Sequence, residues 1–435
     1  MRALLFCLGL LLSPIVGADT PAPTPPPPAA PQAAASAGSK MAVQTAKLDP
    51  VAATREYMNR LTGEKRAKSN AYFEGRYWLL LWNLVYGLAV AWLLLASRVS
   101  ARVRDAIERK VNQPSVRVLL YALFYLAIVT LLSLPLTLYE DFFREHQYGL
   151  SNLSLVAFLG EAATGLLVNL VLGGVAITGL YALLRRLPNT WWAWGTLAGC
   201  GFIMLVIMVA PVFIAPLFNT YKPLPDGPLR DDILAMARAN NIPADNVYWF
   251  DASKQTTRIS ANVSGLFGTT RISLNDNLLN RTSPAEIRAV MGHEMGHYVL
   301  NHVQKSVIFL SLVLLGGMLF LRFGWAWAHA RFGARFGVRD ISDPAGLPLL
   351  AALFSVYFFF ATPVTNTITR VQEIEADYFG LNASREPDGF AEAIFKLSEY
   401  RKLEPAPLEE ALFYTHPSGY NRILAAMRWK AEVMK

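Results

Sequence analysis

The residues in this chain best suited to chemistry are two histidines four apart with a glutamate between them, His293-Glu294-x-x-His297. On a helix, positions four apart share a face. That spacing lets two imidazoles hold one zinc ion while Glu294 projects beside it as general base for an activated water. The flanking sequence supplies the helix. Ser283 with Glu286 three residues later forms a capping box, and Pro284 takes the favoured first helical position. Histidine is scarce, at 6 of 435 residues. Such a motif is therefore expected by chance in well under about one such chain in a hundred.

A catalytic zinc usually takes three protein ligands and keeps one open position. The stretch 369–380, TRVQEIEADYFG, offers acids. Read as a helix, it puts Glu373 and Asp377 on one face and turns Glu375 roughly 160° away from Glu373. Glu373 is then the expected third ligand and Asp377 the group that orients a ligand histidine. Spacing alone leaves Glu375 open. His302, five residues past His297, falls off the metal face and reads as a helix-end cap. His146 and His329 lie in or near short loops. His416 is different, because THPSGYNR sits in a polar C-terminal segment with Arg422 six residues on. Either group could stabilise a developing oxyanion.

The elements that must position these residues are membrane spans. Of the 435 residues, 53% are hydrophobic and only 17% charged, against roughly 25% charged in soluble domains. Six stretches reach the length of about 20 apolar residues that a spanning helix needs: 78–97, 118–138, 153–184, 191–218, 307–327 and 347–367. The third is long enough to be tilted or broken and contains Glu161 and Asn169, and an intramembrane acid is a functional candidate. Cys7 and Cys200 both lie in apolar runs, which excludes a disulfide framework or a cysteine-ligated metal.

The net charge of +8 is distributed by loop. Loops 98–117 and 185–186 and the turn carrying Arg331, Arg335 and Arg339 are basic, and they alternate with the less basic loop 139–152. This pattern fits the positive-inside rule and not a nucleic-acid partner. It places 219–306 and 368–435, the sizeable polar segments, on the non-cytoplasmic side. Arg2, an apolar run and the small residues Val16-Gly17-Ala18 read as a signal peptide over 1–18, ahead of a Pro/Ala-rich linker over 19–40. The expected order continues with a four-span membrane domain (41–218), a metalloprotease segment holding the metal helix (219–306), two further spans (307–367) and a C-terminal metalloprotease segment (368–435). The fold class is mostly α, a multi-spanning helical bundle with a small β element near 246–275 packed on the metal helix.

Taken in order, HEMGH between two spans, QEIEADYFG after the next span and THPSGYNR resemble the type I CAAX prenyl endopeptidases. These are multi-spanning zinc proteases related to the bacterial heat-shock membrane proteases. The segment DASKQTTRISANVSGLFGTTRISLNDNLL (251–279) is also similar to the family's stretch before the metal helix, and the resemblance runs from Tyr72 to the C-terminus. It implies a gluzincin-like domain with one Zn2+ on His293, His297 and Glu373, and Glu294 as base. It also implies that Asp377 supports the site, with His416 and Arg422 at its edge. The helices are expected to surround a large water-filled chamber, and 251–279 to give an edge strand that pairs with extended substrate.

Two departures stand out. Ser260 occupies the family's usual asparagine position, with Asn262 where an aromatic is common. The signal-like start also takes the place of the first of seven spans, and the loop charges put the metal on the opposite side from the family's cytosolic site. The expectation is an integral membrane zinc metalloendopeptidase, in a bacterial inner membrane, acting on peptide or protein substrates that are lipid-modified or membrane-tethered. The alternative is a quality-control protease of heat-shock type. A scaffold with a structural zinc would not need Glu294, and a transporter would show paired broken helices with mid-membrane acids.

Overall fold

The computed structural model describes residues 48–264 and 270–434; the signal peptide and linker expected over 1–40 lie outside them. The chain begins with α1 (Pro50–Arg60), started by Asp49, whose side chain accepts from the Val51 amide. It continues through α2 (Gly63–Ala96), α3 (Val99–Glu108), α4 (Pro114–Tyr148), α5 (Leu155–Arg186) and α6 (Trp191–Leu217). A polar stretch follows, with β1 (Tyr221–Pro223), α7 (Pro228–Ala239), β2 (Val247–Phe250), β3 (Ala261–Ser264), β4 (Arg271–Asn275) and α8 (Asp276–Arg281). Next come α9 (Pro284–Val299), α10 (His302–Phe336), α11 (Leu347–Ser384), α12 (Pro387–Lys396), α13 (Pro407–Phe413) and α14 (Gly419–Val433).

Six of the described helices are long and apolar enough to cross a membrane: α2, α4, α5, α6, α10 and α11. Each of the six expected stretches coincides with one of them to within two residues at either end or lies inside it. The third expected span, 153–184, is found as one unbroken helix over Leu155–Arg186, capped by Ser154, whose hydroxyl accepts from the Ala157 amide. The helices also run beyond their apolar windows. α11 continues through the boundary expected at 367, so one rigid element carries both a span and the acids of 373–377. Nothing ends it earlier, because 368–384 contains neither Pro nor a capping signal until Arg385 turns left-handed (φ 55°).

The β element is a four-stranded sheet in the order β1-β2-β4-β3. β2 and β4 are parallel, the outer pairs are antiparallel, and β3 lies at the edge with Asn262 opposite Ser273. Ile272 and Leu274 of β4 pack with Met291 and Met295 of α9 in a shared apolar core. This core fixes the sheet on the metal helix, as the alternation of apolar residues there requires.

The loops sort to two ends. The basic ones meet: Arg98 donates to the carbonyls of Ala334 and Arg335, Arg339 pairs with Glu108, and Arg322 donates to the Asn189 carbonyl. At the other end the stretch expected as loop 139–152, helical as far as Tyr148, joins the polar domain, where Ser151 bridges Thr256 and Glu145 pairs with Arg258 at 2.6 Å.

Candidate metal centre

The metal helix starts at its expected cap, with the Glu286 carboxylate turned to the Ser283 hydroxyl rather than to the Ser283 amide. The Ser283 hydroxyl accepts from the Glu286 amide, Pro284 opens the first turn, and Lys396 pairs with Glu286 at 2.6 Å. Replacing such a cap by alanine costs about 1 kcal/mol. α9 then crosses α11 at very short range, because the contact is made by glycines. A Cβ on Gly292 would lie 2.9 Å from the Gly380 carbonyl oxygen, and one on Gly296 3.1 Å from the Ala376 Cα. This crossing brings the histidines of one helix onto the acids of the other.

The Nε2 atoms of His293 and His297 are 3.2 Å apart. His293 Nε2 is 3.2 Å from Glu373 Oε2, and His297 Nε2 is 3.4 Å from Glu373 Oε1. A tetrahedral zinc with bonds of about 2.0–2.1 Å needs ligand atoms about 3.3 Å apart. The three edges therefore match the size of that ion. Glu373 is 6% exposed, and its Oε2 lacks a well-directed donor among the described residues. A buried carboxylate oxygen in that state suits a cation. Glu375 is not part of the triangle. It is half exposed and pairs with His302 and Lys305.

Around the triangle the expected residues take distinct places. Asp377 Oδ1 lies 2.8 Å from His293 Nδ1. The Arg422 guanidinium donates to both Asp377 oxygens, at 2.8 and 2.5 Å, with both partners buried. Arg422 thus reaches the site through Asp377. His416 stands closer, with Nε2 3.2 Å from Glu373 Oε2 and Nδ1 2.9 Å from the Thr415 hydroxyl.

Electrostatics separates these groups. Burial pushes the Glu294 carboxyl up to about 7, and the nearby Glu373 adds to this. Burial pushes His297 down to about 4 and holds His416 well below the usual imidazole range, where Arg401 reinforces it. Burial also opposes charge on His293, but Asp377 and Glu373 outweigh it and raise it to about 10. For Arg422 the Asp377 carboxylate overcomes burial and raises the guanidinium.

The triangle opens onto a cavity of about 1530 Å³ that extends among the spans. Glu294, His416 and the edge strand β3 line one end, while Arg76, Glu140 and Glu161 from membrane helices line the rest. Glu161 is anchored there, accepting from Gln255 Nε2 at 2.5 Å. His146 and His329 play no part in the site; each ring contacts a local backbone carbonyl.

Two contributors were not legible in the sequence. One is the glycine contact. The other is His302, whose five-residue spacing turned it off the metal face of a continuous helix. Asn301 is left-handed (φ 56°) and breaks the helix, which resets the phase and brings His302 Nδ1 to 2.9 Å from His297 Nδ1.

The chain resembles known proteins along most of its length. Residues 223–430 match the model of peptidase family M48, and residues 45–220 match the CAAX prenyl protease N-terminal model, described as five membrane helices. An uncharacterized metalloprotease of Bacillus subtilis, YhfN, is 30% identical over 333 residues, covering 76% of this chain and 78% of the relative. CAAX prenyl protease 1 of Saccharomyces cerevisiae is 27% identical, covering 69% of each chain. The crystal structure of S. mikatae Ste24p shares the fold, with a TM-score of 0.71 over 88% of this chain and 92% of that one at 23% identity. On sequence, fold and metal geometry together, this chain belongs to peptidase family M48, as a metalloendopeptidase embedded in a membrane.

Proposed function

We propose that this chain is a zinc endopeptidase holding one Zn2+ on His293, His297 and Glu373, with Glu294 as its general base. The observation that carries this reading is the ligand triangle, whose edges of 3.2 to 3.4 Å have the size of a zinc site. Zinc bound there would supply Lewis acidity, polarising the scissile carbonyl and making water easier to deprotonate. Glu294, raised to about 7, can take a proton from the attacking water and later give it to the leaving amine. His416, held neutral by burial and beside Glu373, is placed to donate to the developing oxyanion. Arg422 acts by fixing Asp377, which in turn orients His293.

Substrate enters as an extended chain. β3 is an edge strand lining the cavity, and its free backbone groups can pair with a peptide. The domain order read from the sequence, with two polar segments around a pair of spans, assembles one site on one side of the membrane. The basic loops gather at the opposite end, which supports a non-cytoplasmic site in a bacterial inner membrane. Substrates resembling those of CAAX prenyl protease 1, or membrane-tethered peptides, fit a cavity that reaches between the spans.

The test is an internally quenched peptide library, with and without a farnesylated C-terminal cysteine, assayed with the detergent-purified protein and its Glu294→Gln variant. Preference for the lipidated peptides supports lipid-directed cleavage. Indifference to the lipid moves the reading to membrane quality control. Full cleavage by the variant rejects the mechanism.

A further inference from the structure

His302 is 2% exposed, a buried imidazole that the catalytic reading leaves without a task. It opens α10, and its two ring nitrogens face two other elements. Nδ1 lies 2.9 Å from Nδ1 of His297 on α9, and Nε2 lies 3.0 Å from Oε2 of Glu375 on α11. Lys305 Nζ holds the same carboxylate oxygen at 2.6 Å.

The proton positions along this chain follow from chemistry. His297 turns Nε2 toward the ligand triangle, and a nitrogen that donates its lone pair to a metal carries no hydrogen. The hydrogen of neutral His297 is then on Nδ1, so His302 Nδ1 must accept it. His302 accordingly carries its own hydrogen on Nε2 and donates it to Glu375. One arrangement satisfies every contact, and it runs in a single direction from His297 to the carboxylate. His293 has the shorter version of the same device, with Asp377 directly on its Nδ1 and Arg422 behind.

We infer that His302, backed by Glu375, is a positioning residue that fixes the tautomer and ring orientation of His297 for metal binding. The inference rests on the metal site proposed above. It also gives the left-handed break at Asn301 a purpose, because only a restarted helix returns residue 302 to the preceding imidazole. The brace joins α9, α10 and α11, so the orientation of one ligand depends on how two membrane helices are packed.

The test measures zinc affinity by competition with a chelating dye, and the visible ligand-field spectrum of the cobalt-substituted protein, both in detergent. His302→Leu keeps an apolar side chain in the buried site and removes both contacts. It is expected to weaken zinc binding by about 10–100-fold and to alter the cobalt spectrum. His302→Asn places an oxygen near the Nδ1 position, can still accept from His297, and is expected to recover most of the affinity. Glu375→Gln, at a half-exposed position that tolerates the change, is expected to give a smaller loss in the same direction. It also keeps the inference testable if His302→Leu does not fold. Wild-type affinity and spectrum in His302→Leu, or an Asn variant no better than Leu, overturn the brace while leaving the zinc site standing. A wild-type protein that binds no stoichiometric zinc overturns both.

Discussion

Gly380 offers a direct test of how the site is built, since it has no side chain with which to hold a metal. A Cβ at this position would lie 2.7 Å from the His293 backbone nitrogen and 2.9 Å from its Cα, against an ordinary contact of 3.4 Å or more. The obstacle is helical backbone, which cannot swing aside as a side chain can. In Gly380→Ala, α9 and α11 must therefore separate by about 0.7 Å, and overpacking of this kind costs about 1–3 kcal/mol. The movement also carries Glu373 and Asp377 away from His293, whereas metal sites tolerate about 0.2 Å in their distances. The expected result is a zinc affinity at least about tenfold lower, a lower melting temperature in excess chelator, and proportionate loss of peptide cleavage. The same reasoning orders a series. Gly380→Ala should be the most damaging, then Gly292→Ala (2.9 Å) and Gly296→Ala (3.1 Å). Dye competition and thermal melting on the three variants check it. Wild-type zinc affinity and melting in Gly380→Ala would refute the claim that this crossing sets the ligand geometry.

Glu294→Gln should keep stoichiometric zinc, measured by metal analysis, and lose about 10²–10⁴-fold in cleavage rate, since in the proposed site it removes the base and leaves the three metal-holding residues. Dialysis against a strong chelator should abolish cleavage, and equimolar zinc should restore it without refolding. Arg422→Met leaves the buried Asp377 carboxylate against His293 but without its guanidinium counter-ion, which costs about 3–5 kcal/mol. Thermal melting in detergent should show the loss, and restored stability in the double variant Arg422→Met with Asp377→Asn would tie it to that pair.

The sequence by itself determined the elements and most of the residues that meet at the candidate site. Apolar length marked all six spans found among the described residues, because a backbone crossing lipid must satisfy its own hydrogen bonds and so must be helical. The spacing of His293 and His297, the Ser283 cap and the phase of Glu373 and Asp377 are properties of single helices. Local periodicity therefore revealed them. Only the tertiary structure decided what passes between elements. It chose Glu373 over Glu375 by the direction in which α11 meets α9, and the short crossing depends on what Gly380 lacks. It tied Arg422 to Asp377 across 45 residues, leaving His416 as the group facing Glu373. It also brought His302 back to His297 through one left-handed residue. Spacing predicts contacts only while a helix continues. Where the chain breaks or two helices cross, geometry is set by packing that no single segment encodes.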